Sequence, residues 1–213
     1  MTPEAAREIL WPLMTPIRFG DGAFIHGPDG GSDRFFWIEA GEVRFSHMTE
    51  DGDEVEFFVL GPDNCFGDIS IFSGRPPPHL AHAKGSVALR SMSGARLRKE
   101  IGTNAALLDW LLQHMSSRLH TTLTLISILQ AQNNRERVWS YISWLAGTSH
   151  ATTDEEGRRI LSLTQGELAT RLGMSRGTVA TALKALEKQG AIMTIYGKIA
   201  VIVTDISVDG LKV

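Results

Sequence analysis

The sequence contains few cysteines and tyrosines, and it has no long apolar run. Its 213 residues include one cysteine and two tyrosines. A lone Cys65 excludes an internal disulfide framework and a cysteine-ligated iron–sulfur cluster within one chain. No apolar run approaches the ~18 residues of a transmembrane helix, and the first residues lack the basic-then-apolar pattern of a signal peptide. We therefore expect a soluble, cytoplasmic protein.

Charge is divided unevenly along the chain. The net charge of the whole sequence is −3, which by itself does not indicate a nucleic-acid partner. Residues 1–156 hold 13 basic and 20 acidic side chains, whereas residues 157–213 hold 8 basic and 4 acidic ones. An acidic body followed by a basic C-terminal part is typical of a regulator with separate sensing and DNA-binding domains.

The most specific pattern is the segment LTQGELATRLGMSRGTVATALKALEKQGAI at residues 163–192. Thr164 and Glu167 form a capping box, Gly173 supplies the permissive backbone of a turn, and Ser175 caps a second helix. The apolar positions of both helices recur at helical spacing and are Leu168, Ala169, Leu172, Val179, Leu183 and Leu186. The pattern predicts a helix-turn-helix, and the alternative is an ordinary helical hairpin.

The second predicted helix presents a polar leading edge that suits insertion into the major groove. Two β-rich runs, at residues 192–195 and 199–203, flank Tyr196-Gly197-Lys198 and predict a hairpin, or wing, behind it. Arg176 is the expected base reader, because a guanidinium can bind guanine through two hydrogen bonds. The predicted DNA contacts are Thr164, Gln165, Ser175, Arg176, Gly177, Thr178, Thr181, Lys184 and Lys198.

The N-terminal half predicts an antiparallel β-barrel or sandwich. A short helix is predicted to begin at Pro3 and to end at Pro12, and short β-rich runs follow between residues 17 and 93. Glycine and aspartate turns separate these runs about every ten residues. The predicted turns lie at residues 20–22, 29–31, 39–41, 51–53 and 61–63. Such a barrel can enclose a small ligand or be packed solid.

Residues 104–132 predict one long helix. Its apolar stripe has alternating spacings of three and four, which is the pattern of a parallel coiled-coil dimer. The stripe comprises Leu112, Met115, Leu119, Thr122, Ile126 and Leu129, preceded by Leu108 and Leu111. The alternative is a core helix packed on its own barrel. A new helix is then predicted to start within residues 133–136 and to end at Gly147. Residues 148–159 are predicted to form a polar loop.

Together these features resemble the family of the cyclic-AMP receptor protein and the fumarate–nitrate regulator (Crp/Fnr). The segment GDISIF at residues 67–72 matches the turn of its β-roll, and the resemblance covers essentially the whole chain. It implies an α+β fold: a cyclic-nucleotide-binding-like β-roll, or double-stranded β-helix (1–103), a dimerisation helix (104–133) and a winged helix-turn-helix (134–213). It also implies a homodimeric transcription regulator whose partners are inverted-repeat DNA, RNA polymerase and a small-molecule effector, and not a membrane.

The same resemblance exposes a departure in the sensor domain. Cyclic-nucleotide binders of the family carry Arg-Ser or Arg-Thr after the turn helix, where this chain has Pro77-Pro78. Proline offers neither a cation nor an amide hydrogen to a phosphate. The remaining candidates for effector contact are Gly67, Asp68, Ile69, Ser70, Arg75 and Thr122. We expect that cyclic AMP is not the effector. A regulator without any effector is the alternative, since the proline triplet can fill its own pocket.

The recognition helix departs from the family as well, because Gly177 and Thr181 stand where the family often carries glutamate and arginine. This predicts a different or less demanding DNA half-site.

Other chemistries have weaker support in the sequence. His79 and His82 are three residues apart and would point to opposite faces of a strand, so they could not share an ion. We expect these residues, with His26 and His47, to be ordinary barrel histidines, and Cys65 to be a small buried residue. A cupin-like metal enzyme would need clustered histidine and glutamate ligands, which the spacing does not provide. No catalytic residue, metal or cofactor is therefore expected, while an effector-free module that docks partner proteins stays open.

Overall fold

The computed structural model describes residues 1–28, 33–52, 54–148, 150–195 and 197–202. The chain forms two compact units, Met1–Ser117 and Arg118–Val213. The whole predicted turn at 29–31, Asp53 of the turn predicted at 51–53, and Tyr196 and Val203 of the predicted wing lie outside the described residues. No described helix has both the length and the apolar character needed to cross a membrane.

The first unit is a β-roll with helices at its start and end. Its elements are α1 (Pro3–Leu10), a 3-10 turn (Trp11–Leu13), β1 (Thr15–Phe19), β2 (Phe24–His26), β3 (Arg34–Met48), β4 (Glu54–Leu60), β5 (Cys65–Phe66), α2 (Asp68–Ser73), β6 (Leu80–Ser93), α3 (Gly94–Thr103) and the start of α4 (Ala105–Leu129). The antiparallel sheet has the order β1-β6-β3-β4, with β2 paired to β6 and β5 paired to β3.

The turn predicted at residues 39–41 is wrong, because β3 continues through it as a bulge. Its register with β6 shifts between Ile38 and Ala40 and again between Ala40 and Glu42. Gly41 has φ 83° there, and a Cβ atom would lie 2.4 Å from the carbonyl oxygen of Ser86. A glycine with positive φ permits either a turn or a bulge, so the local sequence did not distinguish the two.

Alternate residues of β3 enter two different cores. Phe36 and Ile38 face the interior of the roll, whereas Phe35 and Trp37 face the helices. Trp37 stacks on Trp110 of α4 with ring centroids 5.4 Å apart. Because successive strand residues point to opposite faces, one strand fills both cores.

The second unit contains the predicted helix-turn-helix and a four-stranded antiparallel sheet of order β7-β8-β10-β9. After α4 come α5 (Asn134–Ala146), β7 (Ala151–Thr153), β8 (Arg159–Ser162), α6 (Gln165–Leu172), α7 (Arg176–Lys188), β9 (Ile192–Ile195) and β10 (Lys198–Val201). The polar loop predicted at 148–159 is wrong, since it contains β7, which pairs with β8 directly after it. Asp154 tightens their turn by accepting hydrogen bonds from the amides of Glu156 and Arg158.

Helix α4 is both a core helix and an exposed apolar surface. Leu111, predicted beside the dimer seam, is only 2% exposed and packs with Leu107 and Trp110 in the first unit, so that assignment is wrong. Leu119, by contrast, is 60% exposed. The other large apolar side chains exposed on α4 are Leu108, Leu112, Leu123, Ile126 and Leu129. The helix therefore packs one face within its own chain and leaves a second apolar face uncovered.

Candidate nucleic-acid interface and effector site

The capping box at the start of α6 is present in the structure. The Thr164 hydroxyl accepts a hydrogen bond from the Glu167 amide at 3.2 Å, and the Glu167 carboxylate accepts one from the Thr164 amide at 2.7 Å. Gln165 is the first residue of the helix and is exposed. The box satisfies amides that a helix start leaves unpaired, so it fixes where α6 begins.

The turn between α6 and α7 is set by two residues. Gly173 ends α6 with φ 62°, in the left-handed region. Ser175 then caps α7 by accepting a hydrogen bond from the Thr178 amide at 3.1 Å. The predicted apolar positions of both helices are buried in one core, including Leu168 and Val179 at 0% exposure. The helix-turn-helix predicted from local signals is therefore confirmed.

The leading edge of α7 is polar and exposed. Ser175, Arg176, Thr181 and Lys184 are exposed, and Thr178 is half-buried. The Thr181 hydroxyl donates to the carbonyl of Gly177 at 3.0 Å, which leaves its oxygen lone pairs available to a donor. This edge combines two cations with short hydroxyl side chains, which are groups that bind phosphate oxygens and base edges.

Arg176 rests against a position that has no side chain. A Cβ atom on Gly166 of α6 would lie 3.3 Å from the Arg176 Nη2 atom. The expected base reader therefore lies across the first turn of α6 in the free protein. Sequence reasoning missed this role of Gly166, because the proximity arises only from the packing of the two helices.

A groove of about 460 Å³ runs beside α7. It is lined by Asn134, Arg135, Gly177, Thr178, Thr181, Ala182 and Ala185. The small residues at positions 177 and 181 leave this space open, and Arg135 from the start of α5 brings a cation to its wall. Sequence reasoning also missed Arg135, whose distance along the chain hides its proximity to α7.

The predicted wing is present as β9 and β10. Lys198 begins β10, is exposed, and lies opposite Ile195 of β9. Its ammonium group is therefore at the tip of the hairpin, where a phosphate contact was expected.

The candidate effector residues of the first unit differ in exposure. Gly67 has φ 93°, and a Cβ atom there would lie 2.1 Å from the carbonyl oxygen of Arg34, so only glycine fits. Asp68 is 1% exposed at the start of α2, while Ile69 and Arg75 are exposed and Ser70 is half-buried. Thr122, in the second unit, donates to the carbonyl of Arg118 at 2.9 Å.

The interior of the roll is filled with aromatic side chains. Phe36 stacks on Phe66 at 4.9 Å, and Phe45 stacks on Phe58 at 4.6 Å. Pro77 is buried, whereas its neighbours in the triplet are exposed. The interior of the roll is therefore packed with side chains of the chain itself.

His26 is neither solvated nor hydrogen-bonded within the described residues, so the prediction that it is an ordinary barrel histidine is wrong. It is 2% exposed, and neither ring nitrogen has a hydrogen-bond partner among the described residues. Burial, and then the neighbouring His79, lower the pKa of His26 from 6.5 to about 4. His82 is in a different environment, with its Nδ1 atom 3.4 Å from the Glu54 carboxylate.

Cys65 is buried, and its Sγ atom lies 3.1 Å from the Nε2 atom of His114. Among the described residues, no group of three or more histidine, cysteine, aspartate or glutamate side chains could hold a metal ion.

The fold and the exposed polar edge define a two-part protein, with a β-roll sensor domain and a winged helix-turn-helix that reads DNA. Residues 16–104 match the model of the cyclic nucleotide-binding domain, and residues 136–208 match the Crp-like helix-turn-helix domain. The chain belongs to the Crp/Fnr family of transcriptional regulators.

Relatives of known function agree with this assignment. A CRP-like cAMP-activated global transcriptional regulator of Mycobacterium tuberculosis is 30% identical over 84% of this chain and 80% of its own length. Transcriptional regulator SdrP of Thermus thermophilus is 29% identical over 86% of both chains. The crystal structure of a CRP/FNR-family regulator from the same species superposes with a TM-score of 0.64 at 28% identity, over 89% of this chain and 94% of its own.

Proposed function

We propose that this regulator is a homodimer that binds an inverted-repeat DNA site through α7 and the wing. The observation that carries the proposal is the exposed edge of α7, where Arg176 and Lys184 stand beside short hydroxyl side chains. Two copies of α7 related by a dimer axis would enter successive major grooves about 34 Å apart.

The exposed apolar face of α4 supports the dimer. Leu119 and Ile126 lie seven residues apart on it and are 60% and 45% exposed. A contiguous apolar face of this kind is stabilised when a second helix covers it. The domain limits expected from the sequence, with residues 104–133 as the dimerisation helix, remain part of this proposal.

The dimer is tested by placing charge on this face. Leu119→Glu with Ile126→Glu is expected to give monomers in sedimentation analysis and to weaken binding to an inverted repeat. His120→Glu with Ser127→Glu is the matched control, since both residues are exposed and each follows one seam position. The control is expected to stay dimeric. A dimer that survives the seam variant would contradict the proposal.

The effector is proposed not to be cyclic AMP, unlike that of the mycobacterial relative. Pro77 and Pro78 stand where phosphate ligands are expected, and Pro77 is buried. Arg75 is the nearest cation in sequence but is exposed, before a stiff triplet. RNA polymerase as a partner and a cytoplasmic location follow from the family and belong to the same proposal.

Neither of the two alternatives is favoured. A cupin-like metal enzyme would need a cluster of ligands, and none of three or more is found in the described residues. An effector-free docking module is separated from a sensor by testing whether a small molecule that copurifies with the native protein changes its DNA affinity.

A further inference from the structure

The groove beside α7 has one charged side chain in its wall. Arg135 is exposed and is the second residue of α5, which begins at Asn134. The other lining residues are uncharged and are Asn134, Gly177, Thr178, Thr181, Ala182 and Ala185. Positions 177, 181 and 185 are four residues apart, so they share one face of α7. The cation of α5 therefore lies beside the face of α7 on which the family often carries long base-reading side chains.

The Arg135 side chain does not stabilise the fold in an evident way. None of the ion pairs or side-chain hydrogen bonds in the described part of the chain involves its guanidinium. By contrast, Arg137 donates to the carbonyl of Ala131 at 3.3 Å, and Arg158 pairs with Asp154 at 2.8 Å. Arg135 also lies in the first turn of α5, where the helix dipole disfavours a cation. Its N–H groups are therefore available to an anion from outside the chain.

The hydroxyl groups that line the groove already have partners. Thr181 donates its hydroxyl hydrogen to the carbonyl of Gly177 at 3.0 Å. The hydroxyl oxygen of Thr178 lies 2.8 Å from that of Ser175, a hydrogen-bonded distance. A guanidinium makes charge-assisted hydrogen bonds to phosphate, which are stronger than those from neutral donors. The main donor that the groove offers to an anion is therefore Arg135.

The place of the groove identifies the anion. Helices α5 and α7 pack on one core in the second unit, so Arg135 keeps its position beside the helix that enters DNA. A helix in the major groove has a sugar–phosphate strand on each side, with a phosphate about every 3.4 Å along each strand. We propose that Arg135 of each protomer binds one backbone phosphate of the DNA in this groove. This inference rests on the proposed binding of DNA through α7.

A phosphate contact at Arg135 offsets the short side chains of α7. Gly177 and Thr181 leave the groove open and cannot reach as far as glutamate and arginine would. A phosphate carries no sequence information, so the contact raises the affinity for every DNA sequence alike. Each phosphate contact changes the slope of log affinity against log salt by about 0.9, which at 0.15 M salt corresponds to about fivefold in affinity for each protomer.

The test is fluorescence anisotropy of the full-length protein with two labelled duplexes, the selected inverted repeat and a scrambled sequence of equal length. Arg135→Ala is expected to weaken binding to both duplexes about fivefold for each protomer and to reduce the salt slope by about 0.9 for each protomer. Arg135→Lys keeps the charge and should recover most of both. Arg96→Ala is the matched control, because it removes an exposed arginine of α3 in the first unit, and it should bind as the wild type does.

A scan with neutral methylphosphonates separates a phosphate contact from a disturbance of α5. One phosphate pair of the inverted repeat is neutralised at a time, and the wild type should lose affinity at each pair that it contacts. Arg135→Ala should be insensitive at one of these pairs and as sensitive as the wild type at the others.

Three results would overturn the inference while leaving the proposed function intact. They are an unchanged affinity and salt slope in Arg135→Ala, a changed base preference in Arg135→Ala, and equal sensitivity of the wild type and Arg135→Ala at every neutralised phosphate. A wild type that binds neither duplex would overturn the proposed function as well, so the two failures are distinguishable.

Discussion

The buried imidazole of His26 should make the stability of the β-roll depend on pH. In the folded protein its pKa is lowered to about 4, and the ordinary value is 6.5. Between these values the unfolded chain binds a proton that the folded chain does not. Unfolding then takes up about one proton, so the free energy of unfolding falls as pH falls through this window. The stabilisation is fully present above pH 6.5 and is lost towards pH 4.

The change in the free energy of unfolding follows from how far the pKa of His26 is lowered. Each pKa unit corresponds to about 1.4 kcal/mol, so the full change in the free energy of unfolding is about 3 kcal/mol. Between pH 7.5 and pH 5.0, His26 should account for a loss of about 2 kcal/mol. This is a large fraction of the roughly 5–15 kcal/mol that stabilise a typical domain.

Urea denaturation at the two pH values measures the effect. Near-UV circular dichroism is a suitable signal, because the Trp37–Trp110 stack lies in the same unit as His26. His26→Phe keeps an aromatic ring beside Phe36 and Phe66 and removes the titrating group. Between the two pH values its free energy of unfolding should therefore fall about 2 kcal/mol less than that of the wild type. His150→Gln, which removes an exposed histidine, should behave as the wild type. Equal losses in the wild type and His26→Phe would refute the reasoning.

Three further predictions concern the sensor domain and the DNA interface. Calorimetry with micromolar cyclic AMP should show no binding heat, and tight binding would mean that Arg75 or another cation replaces the missing phosphate ligands. Gly67→Ala should lower the free energy of unfolding by at least about 2 kcal/mol, because its Cβ would lie 2.1 Å from a carbonyl oxygen; thermal or urea unfolding measures this. Gly74→Ala, at the other end of α2 with open space around it, should lower the free energy of unfolding by less. Lys198→Ala should weaken binding to all DNA sequences alike and reduce the salt slope by about one unit; a change in sequence preference would contradict a phosphate role.

The helix-turn-helix was predictable because its signals are local. Thr164, Gly173 and Ser175 act within three or four residues of themselves, through hydrogen bonds and backbone conformation that tertiary packing does not override. The long helix α4 was predictable for a similar reason, since its periodicity extends over many turns. The sequence did not predict which face of α4 packs within the chain and which face is exposed, because Leu111 is buried by residues distant in sequence.

The β-roll was less predictable, since strand pairing joins distant residues. Gly41 permits a bulge or a turn, and only the pairing of β3 with β6 decides between them. The short hairpin of β7 and β8 was missed because strands of three and four residues are too short to show a clear alternation. Helix α3 was missed too, although Ser93 caps it by accepting a hydrogen bond from the Arg96 amide. The burial of His26 and the groove at Arg135 are tertiary features with no local signal.

Selection from a random DNA pool, performed with wild-type protein and with Arg176→Ala, tests most directly whether α7 reads DNA sequence through Arg176. The wild type should select an inverted repeat with half-sites about one helical turn apart. Arg176→Ala should lose the preference for guanine at one symmetric pair of positions, a discrimination of about 1–3 kcal/mol, while the rest of the motif persists. An unchanged motif in Arg176→Ala would contradict the claim.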